Sequence, residues 1–437
     1  MILLFLLIAC AFSFGLVNLA PLFGIRTPLG DFNAEDVLLI VLLVISVPSY
    51  LRQRVASKSP WTRRVEFAWL LFILLLAIQS FRSPATSLAG RFVNVRFVQG
   101  YLLFFPTLAV VTSAKRLRIL LVAGVAYALA GTVLTILQSL HGLENLFASQ
   151  FYDIGAWAGN KMIVGGLARV NLPISDWVAF VILAVLAYGL IRPRPWHVVL
   201  IGFLSFTVLL NFARSLWLGM FAGFLVLMVL LGWLKRLRVK SVLGLTLIPL
   251  AALLAVGIAP MVGFQGLHQS LLERIGEGTR YFYENAGTWA ARLSVGAAAL
   301  ALWRTNPLWR IGTAYYSVFG MWIDLGLPAA LVSIGLIGLV IEVYLLLVCS
   351  LAAIEAARRG GAARSTAAIV LGIVVPAEIV LILVYQQWVA PSSFAILGVA
   401  SALALVAPGL LFEGQMNSSK RDREQAFPAT RRVSSNA

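Results

Sequence analysis

Acidic residues are scarce in this chain of 437 residues: 17 Asp and Glu stand against 34 Lys and Arg, and charged residues of all kinds make up only 12%. Cysteine is nearly absent. Cys10 and Cys349 both fall inside apolar runs, so no disulfide framework is expected and both read as packing residues. Histidine is limited to His141, His197 and His268, and no His, Cys, Asp or Glu cluster has metal-ligand spacing, so a metal-independent mechanism with no cofactor is expected. There is also no polar stretch long enough to form a soluble domain between the first residue and about Phe412.

What is present in excess is apolar sequence, at 61% of residues with a mean hydropathy of +0.93, far from the composition of soluble globular domains. Runs of the roughly 20 residues needed to cross a hydrocarbon core recur along the chain. They place helices near 1–20, 35–51, 66–81, 92–113, 119–140, 177–191, 198–211, 215–234, 241–262, 326–350, 366–387 and 393–412. The expected fold is therefore all-α, a polytopic membrane protein of about twelve transmembrane helices. Its single integral membrane domain covers 1–416, and residues 417–437 form a basic cytoplasmic tail without expected structure. MILLFLLIACAFSFGL lacks a basic leader and merges into a spanning run, so it reads as the first helix and not as a cleaved signal peptide.

A formal charge of +17 would suggest nucleic acid in a soluble protein, but here the charges sit in short clusters between apolar runs. The clusters are Arg52 to Arg64, Lys115 to Arg118, Arg192 to Arg194, Lys235 to Lys240, Arg358 to Arg364 and Lys420 to Arg432. With a cytoplasmic N-terminus, all six fall on the cytoplasmic side, as the positive-inside bias requires, whereas one missed helix would invert every later cluster. Nucleic acid is thus not an expected partner, and both termini are expected in the cytoplasm.

The same threading leaves two long loops outside, residues 141–176 and 263–325, the larger between helices 9 and 10. In the larger loop Thr288 to Thr305 reads as a helix that Thr288 caps and Pro307 stops, too short in its apolar part to span and so expected against the membrane face. Arginines on this face stand against the positive-inside bias: Arg91, Arg96, Arg169, Arg214, Arg292, Arg304 and Arg310. A permanently charged, planar guanidinium suits bidentate phosphate binding, so several together would cradle a diphosphate. Each alone is also explained by snorkelling to headgroups or by pairing with a nearby acid such as Glu284 or Asp324. Arg214 is set apart by its place in the tight NFARS turn between two spans. His141 and His268 are external and either could act as a general base, although isolated loop histidines are commonly solvated; His197, in RPRPWH, reads as a cytoplasmic surface group. Glu378, deep in the eleventh helix, is the residue a proton-coupled transporter would show.

Three stretches resemble the O-antigen ligase and polymerase superfamily of bacterial envelope glycosyltransferases: NFARSLWLGMFAG, GTWAARLSVGAAALALWRTNPLWRIG and YYSVFGMWIDLGLPAAL, with GLARVNLPISDWVAF as a fourth. They cover well under half of the chain, and their order and spacing agree with the family. The resemblance implies an inverting membrane glycosyltransferase whose donor is a glycan on undecaprenyl diphosphate and whose acceptor is a glycan or lipid at the outer face of the inner membrane. Arg214 and Arg292 would hold the diphosphate, and Arg91, Arg169 and Arg310 are further candidates for the same cradle. The chain departs from the ligase pattern about eleven residues before Gly326, where Tyr315, Tyr316 and Ser317 replace the family's histidine pair. Either His268, Glu284 or Tyr315 activates the acceptor, or the chain belongs to a polymerase-like branch. A different class, a transporter or lipid-linked glycan flippase, is the alternative.

Overall fold

The computed structural model describes residues 1–13, 25–27, 30–32, 34–55, 60–81, 99–141, 163–164, 167–168, 174–191, 194–211, 214–233, 276, 287–308, 326–359, 396–403, 405–406 and 410. The expected helices at 241–262 and 366–387, most of both long external loops and the tail 417–437 lie outside the described residues, as does Glu378.

Within the described residues the chain is overwhelmingly helical. α1 (Ile2–Ser13), α2 (Ala34–Val55) and α3 (Pro60–Phe81) are followed by a 3-10 turn (Gln99–Leu103) that leads into the short α4 (Phe104–Val110). Next come α5 (Ala114–His141), α6 (Ile174–Ile191), α7 (Pro195–Asn211) and α8 (Arg214–Trp233). α9 (Gly287–Arg304), α10 (Gly326–Arg359) and helical residues 396–403 complete the set. Two very short antiparallel pairs depart from an all-α fold: β1 (Ile25–Thr27) with β2 (Gly30–Phe32), and β3 (Ile163–Val164) with β4 (Leu167–Ala168). Both lie in connections that the charge pattern puts outside, where water can satisfy the open strand edges that hydrocarbon cannot.

Among the described residues two helical stretches, Ala114–Leu137 and Leu327–Glu355, are long and apolar enough to cross a membrane. Large apolar side chains are exposed along single helix faces: Phe67, Leu70, Leu74 and Ile78 on α3, Phe221, Leu225, Val229 and Trp233 on α8, Leu336, Val340, Val343 and Leu347 on α10. The spacing of three and four residues makes each set one stripe, and the opposite faces are buried against other helices.

The described residues gather into three apolar cores. In the first, α3 packs along α10 around an aromatic knot in which Trp69 stacks on Phe104 at 5.1 Å and meets Tyr101 at 5.3 Å, with Phe72 edge-on to Tyr101. The second gathers α1, α2, α4 and the start of α5. The third holds α5 to α8, where buried Thr207 donates to Thr132 across the α5–α7 seam at 2.8 Å. Residues 396–403 share side chains between the first two cores: Leu397 and Ala402 face one, Ile396, Val399 and Leu403 the other.

α10 is one run only in outline. Gly335 has φ 68°, a conformation that favours glycine, and it divides the helix into Gly326–Ile334 and a longer segment from Leu336. Twenty residues separate Gly335 from Glu355, about 30 Å of helix and thus about one hydrocarbon thickness. Ala329 through Gly335 are all buried, whereas the lipid-type stripe begins at Leu336.

His197 overturns the expectation of a surface group. It is 2% exposed, packs beneath Gly189 of α6, and its Nδ1 accepts the Arg194 backbone N–H at 3.2 Å. The imidazole closes the turn into α7 from the third helical position, reaching back to the N–H of the residue before the helix as the Glu or Gln of a capping box does. Burial, and secondarily the Arg194 charge, push its pKa below the ordinary 6.5. A base held neutral in the folded state contributes stability that is complete above pH 6.5 and is lost as pH falls toward the lowered value, because the unfolded chain then binds the extra proton. Thermal stability in detergent is therefore expected to fall between pH 7 and pH 5.5, and His197→Asn, which keeps an acceptor but does not titrate, should flatten that slope.

Candidate functional site at the outer end of the helices

Of the arginines expected to hold the diphosphate, Arg292 is the one whose side chain is described. It lies in the second turn of α9, partly buried and already engaged by the protein. α9 begins at Gly287 and ends at Arg304, one residue from the expected bounds at each end, with an interior of Ala and Leu that favours helix. It packs along α10, and buried Ala299, with Val295, Leu302 and Trp303, joins the α3–α10 core. An arginine in a helix seated this way has a fixed address, which a loop arginine does not.

The end of α9 is tied to the break in α10. After Arg304 the chain turns through Thr305 and Asn306, whose N–H groups return to Leu302 and Trp303 carbonyls at 3.2 and 3.0 Å. The Pro307 carbonyl then accepts both the Trp303 indole N–H and the Leu336 backbone N–H, each at 2.9 Å. Leu336 is the first residue after Gly335, so its N–H is one of the donors that a helix start leaves without an intrahelical partner. Pro307 therefore stops α9 and also caps the second segment of α10.

Arg214 opens α8, three positions after α7 ends at Asn211. The α7–α8 turn is clamped from inside by the Trp217 indole, which donates to the Val208 carbonyl at 2.8 Å, one of the end-of-helix carbonyls of α7. The backbone of Arg214 is set by this clamp; its side chain lies outside the described residues. Its helix packs on α6 within the third core, whereas α9 packs on α10 within the first, so these two candidate arginines sit on helices with different neighbours. Arg91, Arg169, Arg310, His268 and Tyr315 all lie outside the described residues, with Arg169 immediately after β4.

Several buried polar groups were not singled out by sequence reasoning. Asp36, at the start of α2, is 3% exposed and accepts the Gln99 amide at 2.6 Å. Gln79 near the end of α3, Ser333 just before the break and Glu342 two turns after it are all buried, and Gln79 Nε2 and Oε1, Ser333 Oγ and Glu342 Oε2 have no hydrogen-bond partner among the described residues. Glu342 was detectable as an acid within an apolar run. Among the described residues no three His, Cys, Asp or Glu side chains gather where they could hold a metal ion.

No protein-family model matches the chain, and no curated protein matches it.

Proposed function

We propose that the chain is a multi-pass protein of the bacterial inner membrane, with about twelve spans and both termini cytoplasmic, that transfers or polymerises glycan from an undecaprenyl-diphosphate-linked donor at its outer face. The observation that carries this reading is the docked α9 with Arg292 held partly buried at a set position, on the face where the charge pattern gives arginine no topological reason to be. The exposed apolar stripes support a lipid environment. So do Trp61, Trp196 and Trp233, which fall at the helix ends assigned to the cytoplasm, with Arg64 5.0 Å over the Trp61 ring.

In this mechanism an acceptor sugar hydroxyl attacks the anomeric carbon. The bond to the lipid diphosphate breaks, the diphosphate takes the bonding electrons, and the acceptor's proton leaves to a base or to the departing phosphate. Guanidinium groups set against the developing charge supply most of the stabilisation in a water-poor site. Such help to an already good leaving group reduces the demand for a general base, in keeping with the Tyr315, Tyr316, Ser317 replacement of the ligase histidine pair.

The second reading, a transporter or lipid-linked glycan flippase, is favoured by Glu342 and by the break at Gly335, since intramembrane acids and discontinuous helices occur where coupling ions bind. The protein in sealed proteoliposomes, given undecaprenyl-diphosphate glycan, separates the two. Transfer or lengthening of glycan, lost in Arg214→Ala, supports the glycosyltransferase; translocated lipid without new glycan supports the flippase. Glu342→Gln is expected to leave transfer unchanged, because its neutral isostere fits the same buried site, and a coupled transporter would lose activity with that substitution.

A further inference from the structure

α2 and α3 are joined only by residues 56–59, so the end of one and the start of the other lie within about 18 Å. Both also lean on one pair of rings. Tyr50 of α2 meets Phe105 edge-on at 5.4 Å, Trp69 of α3 stacks on Phe104 at 5.1 Å, and Phe104 meets Phe105 at 5.2 Å. Arg52 comes two residues after Tyr50 and Arg64 five before Trp69, each along unbroken helix, so the basic ends of α2 and α3 form one corner of the bundle. Partly buried Tyr50, Trp61 and Phe105 pack against the first core there.

The corner is cationic, and the helix faces that lead to it are apolar. Residues 51–65 hold Arg52, Arg54, Lys58, Arg63 and Arg64 and no acid. Glu66, the next residue, is 3% exposed and already engaged by the protein. Arg52, Arg63 and Arg64 are exposed, and the Arg64 guanidinium lies 5.0 Å over the Trp61 ring. Arg63 comes four residues before Phe67 and so ends the exposed stripe of Phe67, Leu70, Leu74 and Ile78. On α2, exposed Val44, Val47 and Leu51 run to Arg52 in the same way.

A cation at the end of a lipid-facing stripe suits a lipid phosphate, because tail and headgroup then meet matching surface along one helix. Nucleic acid or an acidic protein would use the charge and leave the stripes unmatched. Two cation-tipped stripes meeting at one corner match a lipid with two phosphates on a bridging glycerol and its acyl chains in two pairs. A lipid with one phosphate would fill one stripe and leave the other helix's cation unmet.

We infer that the α2–α3 corner binds cardiolipin of the cytoplasmic leaflet, one phosphate at Arg52, the other at Arg63 and Arg64, with the acyl chains along the two stripes. Trp61 lies beside Arg64 at headgroup level, where indoles are favoured. The inference goes beyond the glycosyltransferase reading and shares with it only the cytoplasmic placement of this end of the helices. It is read without a transfer assay, so either can fail alone.

The test measures lipid binding to the full-length chain in detergent by native mass spectrometry, with cardiolipin, phosphatidylglycerol and phosphatidylethanolamine as separate probes. Cardiolipin is expected to bind most tightly, and Arg52→Gln and Arg63→Gln should each weaken it about fivefold, the effect of one cation near a headgroup. Arg194→Gln removes the same charge at the α6–α7 turn and should leave cardiolipin affinity unchanged. Equal weakening by Arg194→Gln would mean general attraction to a basic surface and overturns the site. Unchanged affinity in the Arg52 and Arg63 variants, or phosphatidylglycerol bound as tightly as cardiolipin, overturns it too. A second measurement needs no variant: at equal phosphate concentration cardiolipin should raise the melting temperature of the unmodified chain more than phosphatidylglycerol does, and equal shifts contradict the inference.

Discussion

Arg292→Ala is expected to lower the rate of glycan transfer by about two to three orders of magnitude, the loss typical when one preorganised donor to a developing anion is removed. The fold should survive, because the α9 side chains that reach the core are Val295, Ala299, Leu302 and Trp303, and all four remain. Arg292→Lys should recover only part of the rate, since an ammonium keeps the charge and loses the fork that binds a diphosphate through two parallel hydrogen bonds. Steady-state transfer measured with melting temperature checks both statements. A full rate in Arg292→Ala would show that the guanidinium serves α9 and not the substrate.

The second large effect is structural. Gly398→Val should destabilise the bundle by about 1–3 kcal/mol or more and lower the yield of folded protein, as overpacking of a filled core does. A Cβ at Gly398 would stand 3.1 Å from the carbonyl oxygens of both Gly100 and Tyr101 and 3.3 Å from the Phe104 backbone nitrogen. These are backbone atoms of the elbow between the 3-10 turn and α4, so none can rotate away as a side-chain tip would. Displacing residues 396–403 would open both cores that they share and loosen Tyr101 and Phe104 in the aromatic knot. By contrast Gly202, with nothing within 4 Å of its added Cβ, should accept alanine with little change. Thermal unfolding of the pair in detergent makes the comparison.

Several helix positions were legible because long apolar runs have a length and composition that few soluble helices share, although the expected 92–113 helix is broken within its described part into a 3-10 turn at Gln99–Leu103 and the short Phe104–Val110. The expected 288–305 helix appears at Gly287–Arg304, and the expected 326–350 helix starts at Gly326 but runs on to Arg359. That extension is made by Ala352, Ala353, Ala356 and Ala357, strong helix formers that carry α10 past the last apolar residues into its basic end. The break at Gly335 was not legible. Gly335 and Gly338 occur in the same short run, and only the Pro307 carbonyl, 28 residues earlier, reveals which of them starts a new helical segment. His197 was misassigned for a related reason: a histidine beside Arg194 and Trp196 resembles interface decoration until the turn folds it under Gly189.

For the candidate site, sequence yielded residue types on one face but not their grouping. Arg214 and Arg292 are 78 positions apart, and no periodicity relates α8 to α9, since each is positioned by a different partner helix. The acid that drew attention in the sequence was Glu378, two residues after Pro376 and outside the described residues, whereas the buried Glu342 lay in an uninterrupted apolar stretch with no local marker beyond its own charge. Gln79 and Ser333 carry no motif at all; their interest comes from burial without hydrogen bonds, which only coordinates reveal.

The central claim, that arginines from separate helices converge on one diphosphate, is tested most directly by a double-mutant cycle on lipid binding. Affinity for undecaprenyl diphosphate in nanodiscs is measured for the unmodified chain, Arg214→Ala, Arg292→Ala and the double variant. Convergence predicts that each single change weakens binding and that the two losses fail to add, with a coupling of about 0.5–3 kcal/mol, the range found for residues that share a partner. Independent losses, or affinity indifferent to either arginine, would contradict it.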